Sequence, residues 1–278
     1  MNEFRIIESY FISGANNKKI FFRVARRETG KAIVILHGAC EHSGRYLNLI
    51  KFLWRRGYSV FVPDLRGHGR SEGRRVHIGS FFTYFIDLAQ LLILVRGENY
   101  RRIHLLGHSM GGLIAARYIQ DFEQNITSLI LSSPLFGWKD MPRTKIFAAK
   151  VISKVWPTFC FRNTVDETAL SRVPGVFQEY RKDPLVYNGG TARLGAELME
   201  NFILLFKKAE EIKLPLLLLA GGADRITDPE ASKQFFEEVC SGNKKCYIFK
   251  DMFYEIFNEP EREKPLKQLA GWLKKLDG

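Results

Sequence analysis

The stretch RIHLLGHSMGGLIAARYIQDF (102–122) holds a strand, a sharp turn and a helix in immediate succession. RIHLLG (102–107) is a short apolar run of strand length, and GGLIAARYIQDF (111–122) has helical spacing. Between them lies Gly107-His108-Ser109-Met110-Gly111, a G-x-S-x-G pattern in the one context where it has mechanical meaning. A strained strand-to-helix turn lifts the Ser109 hydroxyl above the sheet edge, and small residues on either side keep the turn from clashing. The helix that follows puts its positive end under the site, so the Met110 N–H can face an oxyanion. Gly112 adds further room.

Outward from this unit, strands alternate with helices. FRIIESY (4–10) and KIFFRVAR (19–26) read as paired strands. AIVIL (32–36) is a strand buried on both faces, RYLNLIKFLWRRG (45–57) a helix stopped by Gly57, and YSVFV (58–62) a strand closed by Pro63. SFFTYFIDLAQLLILVRG (80–97) is a long helix, and TSLILSS (127–133) a further strand. The alternation breaks at Pro134. Residues 135–205 show helical stretches without a clear strand. It resumes with LPLLLLAGG (214–222), PEASKQFFEEV (229–239), KCYIFK (245–250) and EREKPLKQLAGWLKKL (261–276). The pattern predicts an α/β fold with a mostly parallel sheet of about eight strands and helices on both faces. It also predicts a core in two parts, 1–134 and 206–278, around a helical insertion at 135–205.

The 278 residues are 46% hydrophobic and 26% charged, which excludes a disordered or collagen-like chain. No apolar run reaches bilayer length, and the opening MNEFRIIESY lacks the apolar stretch of a secretory signal. Cys40, Cys160, Cys240 and Cys246 have no metal-site spacing with nearby histidines. They read as free thiols of a reducing cytosol, and no metal or cofactor is expected. The net charge of +12 comes from scattered pairs such as Arg26-Arg27, Arg55-Arg56 and Arg101-Arg102. Without a long basic run, solvated surface charge is favoured over nucleic-acid binding.

Chemistry at Ser109 needs a second oxyanion donor, an acid and a base. His37-Gly38-Ala39 directly follows a buried strand and can supply the Ala39 N–H. His37 itself, alone after a strand, reads as a brace for the loop rather than a metal ligand or a base. Past the strand at 214–220, Gly221-Gly222-Ala223-Asp224-Arg225 places Asp224 where it can orient an imidazole, and Asp228, ahead of Pro229, reads as a helix cap. A histidine should follow the last strand. All six histidines lie at or before Ser109, and the expected position holds Asp251-Met252-Phe253-Tyr254-Glu255.

HGACEHSGRY (37–46), DLRGHGRSEG (64–73), GHSMGG (107–112), LLLLAGGADRITDPEASKQFF (216–236) and EIFNE (255–259) resemble the monoacylglycerol lipase and lysophospholipase group of α/β-hydrolases. The resemblance covers nearly the whole chain outside 135–205. It implies an α/β-hydrolase core under a helical cap with an acyl tunnel, and a small lipid or ester as substrate. It implies Ser109 as nucleophile, Asp224 as triad acid, and Ala39 and Met110 as oxyanion donors. His37, Gly38, Glu41, Arg45 and His108 would support the site. Two residues depart from the pattern. Cys40 stands where a glycine is usual, and Tyr254 stands where the group has its catalytic histidine. A phenol with a pKa near 10 is a poor base at neutral pH. The resemblance therefore implies either a strongly impaired ester hydrolase or a lipid-binding pseudo-hydrolase. The Tyr254 hydroxyl could instead donate to Asp224.

RTKIFAAKVISKVWPTFCF (143–161) has the pattern of a basic amphipathic helix, with Lys150 and Lys154 on one face. It reads equally as a helix packed on its own core and as a peripheral contact with an anionic membrane. The expected location is cytoplasmic, with or without that contact.

Overall fold

A computed structural model describes residues 3–122, 125–138, 150–162 and 165–278. Its centre is an eight-stranded sheet. β1 (Ile7–Ile12) pairs antiparallel with β2 (Lys19–Ala25), which pairs antiparallel with β4 (Ser59–Pro63). From β4 the sheet runs parallel through β3 (Lys31–Leu36), β5 (Arg102–His108), β6 (Ser128–Ser132), β9 (Leu216–Gly221) and β10 (Lys244–Phe249). The spatial order is β1-β2-β4-β3-β5-β6-β9-β10. The eight strands and their mostly parallel run are as the alternation of strands and helices predicts.

The continuous apolar runs have their physical reason in this sheet. In β3, Ala32, Val34 and Leu36 pack on one face, and Ile33 and Ile35 on the other. The first face is covered by α2 (Phe82–Gly97), α3 (Met110–Asp121) and α6 (Pro229–Glu238). The second is covered by α1 (Leu47–Trp54) and α7 (Glu263–Asp277), through Ile50, Leu53, Leu269 and Trp272. Each such side chain contributes roughly 1.5–3 kcal/mol on leaving water, so both layers are held to the sheet along its length.

Between β6 and β9 the chain leaves the sheet. Residues 150–155 are helical, and α4 (Pro174–Lys182) and α5 (Ala192–Lys207) follow. The expectation of no strand here is corrected by an antiparallel pair, β7 (Cys160–Arg162) with β8 (Gly189–Thr191). Three residues each, one of them Gly-Gly-Thr, are too short to show a twofold hydrophobic period. The stretch expected to form the basic amphipathic helix lies partly outside the described residues.

Every parallel strand ends on the same side of the sheet. The turns after β3, β5, β9 and β10 therefore meet there, which is where open α/β sheets place their chemistry.

Candidate active site

Ser109 sits between β5 and α3 with φ +52° and ψ −121°, in left-handed space that a side chain enters at a cost of about 1–3 kcal/mol. Four hydrogen bonds hold it there. Its N–H donates to the Ser132 carbonyl at 3.1 Å. Its own carbonyl accepts from Gly112 at 2.9 Å, Leu113 at 3.1 Å and Leu135 at 2.9 Å. The turn closes only because its neighbours lack side chains. A Cβ on Gly107 would lie 2.3 Å from the Gly111 carbonyl oxygen, and one on Gly111 would lie 2.2 Å from that of Leu36. Ser109 is 3% exposed. Met110 opens α3, so its N–H has no preceding helical carbonyl to reach.

The turn after β3 brings Gly38 against the serine. A Cβ there would meet Glu41 Oε1 at 2.8 Å and both Ser109 Cβ and Tyr254 Oη at 3.1 Å. Ala39 follows, half-buried, and neither its N–H nor that of Met110 has an acceptor among the described hydrogen bonds. Cys40 then adopts φ +67°. A glycine meets no steric penalty there, whereas a side chain in left-handed space costs about 1–2 kcal/mol. The thiol is buried and donates to the Gly189 carbonyl at 3.0 Å, and Tyr187 N–H donates to the Cys40 carbonyl at 3.2 Å. This loop is thereby tied to β8.

His37 braces the same loop. Leu65 N–H donates to its Nε2 at 2.8 Å, so Nδ1 carries the proton and donates to the Gly38 carbonyl at 2.7 Å. His68 packs edge-on against it. Burial lowers the pKa of both rings, and in His68 burial together with the His37 ring brings it to about 3. Both stay neutral in the folded chain and gain protons on unfolding below about 6.5. Their contribution to stability is complete above that value and is lost as the pH falls below it. Below pH 6.5 the unfolding free energy should drop by up to about 1.4 kcal/mol per pH unit for each ring. Urea midpoints at pH 7 and 5 read this out, and His68→Gln should flatten the dependence. An unchanged slope removes His68 from the account.

The turns after β9 and β10 supply Asp224 and Tyr254. Asp224 is fully buried. Its Oδ1 accepts from Ile226 N at 2.7 Å and Thr227 N at 3.0 Å, and its Oδ2 from the Thr227 hydroxyl at 2.6 Å. Burial raises its pKa and these bonds pull it back. Asp228 caps α6 as the sequence suggests, accepting from Glu230 N–H at 3.0 Å. The expected Tyr254–Asp224 bond is not among the described hydrogen bonds. The phenol instead contacts the Ser109 hydroxyl. Burial, with Glu41, Asp224 and Glu255 nearby, pushes Tyr254 well above the ordinary value of 10.0, against the pull of Ser109. The phenol next to Ser109 is therefore neutral at physiological pH.

Behind these residues lies a buried ionic chain. Glu41 accepts from Gly38 N–H at 2.6 Å and the Tyr46 hydroxyl at 2.7 Å on one oxygen, and from Arg45 Nε at 3.2 Å on the other. Arg45 also donates to Glu255 at 2.6 Å, and the Tyr180 ring lies 4.9 Å from its guanidinium carbon. Burial works against the Glu41 carboxylate, yet the neighbouring His108 and Arg45 hold it below the ordinary range. His108 turns away from the nucleophile. Its Nδ1 donates to the Ser132 carbonyl at 2.9 Å, and its ring stacks 4.5 Å from that of Tyr254. The sequence motifs do not single out Thr227, Tyr46 or Ser132. Thr227 has a local signal, three residues after an Asp in an Asx-type turn, and Tyr46 follows its partner Glu41 by five residues, whereas Ser132 reaches His108 from 24 residues away. Among the described residues no cluster of three or more His, Cys, Asp or Glu is arranged to hold a metal ion.

The serine aminopeptidase S33 family profile matches residues 27–261. The chain is 30% identical to the monoacylglycerol lipase of Mycolicibacterium smegmatis over 270 residues, covering 94% of this chain and 95% of that protein. It is 34% identical to the phospholipase YtpA of Bacillus subtilis over 239 residues, covering 84% and 92%. The crystal structure of the Paleococcus ferrophilus monoacylglycerol lipase superposes with a TM-score of 0.83 at 32% identity, covering 98% of this chain and all of that one. With the eight-stranded sheet and the serine turn in place, the chain belongs to the serine aminopeptidase S33 family, among the α/β-hydrolases of the monoacylglycerol lipase group.

Proposed function

We propose that the chain is a carboxylic ester hydrolase of the monoacylglycerol lipase and lysophospholipase type, strongly impaired because Tyr254 occupies the place of the triad base. Ser109 is the nucleophile. Ala39 and Met110 donate to the oxyanion, and Asp224 is the acid that an imidazole would need. Ester attack forms an acyl-Ser109 intermediate, and water releases the acid. The reading is carried by one observation, the neutral buried phenol beside a serine whose turn is otherwise fully built. In a serine protease, losing the histidine cost about 10⁶-fold in turnover, while oxyanion donors and binding kept about 10³–10⁴-fold over water. The expected result is slow hydrolysis of a short p-nitrophenyl ester and of a monoacylglycerol, lost in Ser109→Ala. No difference between the two chains would leave the alternative, a pseudo-hydrolase that holds lipid without turnover.

Residues 135–205 form the cap in this reading. Val155 is 82% and Trp156 61% exposed, beside Lys150 and Lys154. Apolar groups beside lysines suit the surface of an anionic bilayer. Among the described residues no helix is long and apolar enough to cross a membrane. Sedimentation with phosphatidylserine vesicles should show binding at low salt that weakens with added salt and with Trp156→Ser. Absence of binding at low salt sinks the idea.

A further inference from the structure

Glu259, between β10 and α7, is fully buried and accepts hydrogen bonds from three residues. Its Oε1 takes the Ser171 hydroxyl at 2.8 Å and the Arg172 N–H at 2.6 Å. Its Oε2 takes Arg172 Nε at 2.6 Å and the Phe253 N–H at 3.1 Å. Burial works against this carboxylate, yet the bonds from Arg172, Ser171 and Phe253 hold it below the ordinary range. It is therefore ionised at neutral pH, and bonds to a charged acceptor are roughly twice as strong as neutral ones.

Ser171 and Arg172 belong to the insertion between β6 and β9, just ahead of α4. Phe253 adjoins Tyr254. On the other side of Tyr254, the Glu255 N–H donates to the Leu170 carbonyl at 2.8 Å. Both amides that flank position 254 are thus fixed from residues 170–172, one directly and one through Glu259. The hold matters because β10 ends at Phe249 and α7 starts at Glu263. Position 254 lies in neither element, so no strand or helix ladder sets its direction.

We propose that Glu259 is a positioning residue, through which segment 170–172 sets where the side chain at position 254 points relative to Ser109 and Asp224. The inference rests on the reading of position 254 as the place of the triad base. Among the described hydrogen bonds none joins Glu259 to Ser109 or Asp224, so it acts through the Phe253 amide. Glutamine fits the same space but has one acceptor oxygen. Glu259→Gln therefore turns an NH₂ group toward two donors, and both of those bonds are lost.

The test uses the Tyr254→His chain, labelled with ¹³C-histidine so that the introduced imidazole gives a resonance of its own. Adding Glu259→Gln should lower turnover of a short p-nitrophenyl ester about 10²-fold with KM little changed, since a misplacement of about 1 Å costs that much in the transition state. The titration midpoint of the introduced imidazole should move by at least about half a pH unit toward the free value near 6.5, because its burial and its distance to Asp224 both change. Ser171→Ala with Arg172→Met leaves the Glu259–Phe253 bond in place and should move both readouts in the same direction. A loss of stability with midpoint and turnover unmoved means a purely structural bond and overturns the proposal. So does an effect of Glu259→Gln that the Ser171→Ala, Arg172→Met pair does not share, which confines the bond to the turn itself. If Glu259→Gln does not fold, that pair decides. If the Tyr254→His chain is inactive, the enzymatic reading fails, and the midpoint alone decides the positioning.

Discussion

Tyr254→His is expected to raise turnover of a monoacylglycerol by at least ~10³-fold, within the ~10⁶-fold range that a triad histidine can supply. The phenol lies against the Ser109 hydroxyl and stays protonated past its ordinary value of 10.0, because burial and three nearby carboxylates oppose a phenolate. It cannot take the serine proton at neutral pH. An imidazole with a pKa near 6.5 can. Asp224 has capacity left to orient it. The carboxylate accepts from Ile226 N, Thr227 N and the Thr227 hydroxyl. A carboxylate offers about four acceptor sites, so one remains for an imidazole N–H. The pH profile should separate the two chains. The histidine variant should show a rising limb near neutrality, and the parent chain none from Tyr254 below pH 10. If the parent chain is already fast and Ser109→Ala abolishes its activity, another group takes the proton and Tyr254 is not the defect.

Arg45→Met should cost about 3–5 kcal/mol of stability. One guanidinium pairs with both Glu41 and Glu255, at 3.2 Å and 2.6 Å, and all three side chains are almost fully buried. Removing it leaves neither carboxylate with a partner among the described ion pairs. Methionine fills much of the same space, so the loss reports charge more than cavity. The sign of its pH dependence follows. In the parent chain Arg45 and His108 hold Glu41 below the ordinary carboxylate range. Without Arg45 the folded Glu41 takes up a proton more readily, so the gap between variant and parent should be widest near pH 7 and narrow toward pH 5. Urea unfolding across that range measures it. A variant as stable as its parent at pH 7 would mean that solvent already shields the pair. Glu41 also holds the Gly38 N–H beside Ser109, so the same variant should lose residual Ser109-dependent hydrolysis.

The fold and the serine turn are legible in the chain because both are local. The apolar runs at 32–36, 102–107 and 216–220 report burial on two sheet faces, and the alternation with helical segments makes the sheet mostly parallel. The strained Ser109 is announced by the glycines at 107, 111 and 112, since a turn that tight leaves its mark in which side chains are missing. Cys40 reads from sequence only as a departure from a glycine pattern. Its φ of +67° supplies the reason for that pattern. The β7–β8 pair stays hidden because its partners are three residues long and lie well apart in the chain.

The environment of Tyr254 is a different kind of fact. That the base is missing follows from the positions of six histidines. That the phenol meets Ser109 and not Asp224, and that its pKa rises, depends on what is packed around it. Glu41, Arg45 and Glu255 lie up to 214 positions apart in numbering, yet one guanidinium joins them. The unpartnered nitrogen of His108 likewise appears only when β5 is set beside β6 and the Ser132 carbonyl accepts from the other ring nitrogen. Strand period, turn strain and helix signals act over a few residues and are written in residue order. Desolvation and charge pairing depend on distance in space, and the chain acquires those distances only when the sheet brings its turns together.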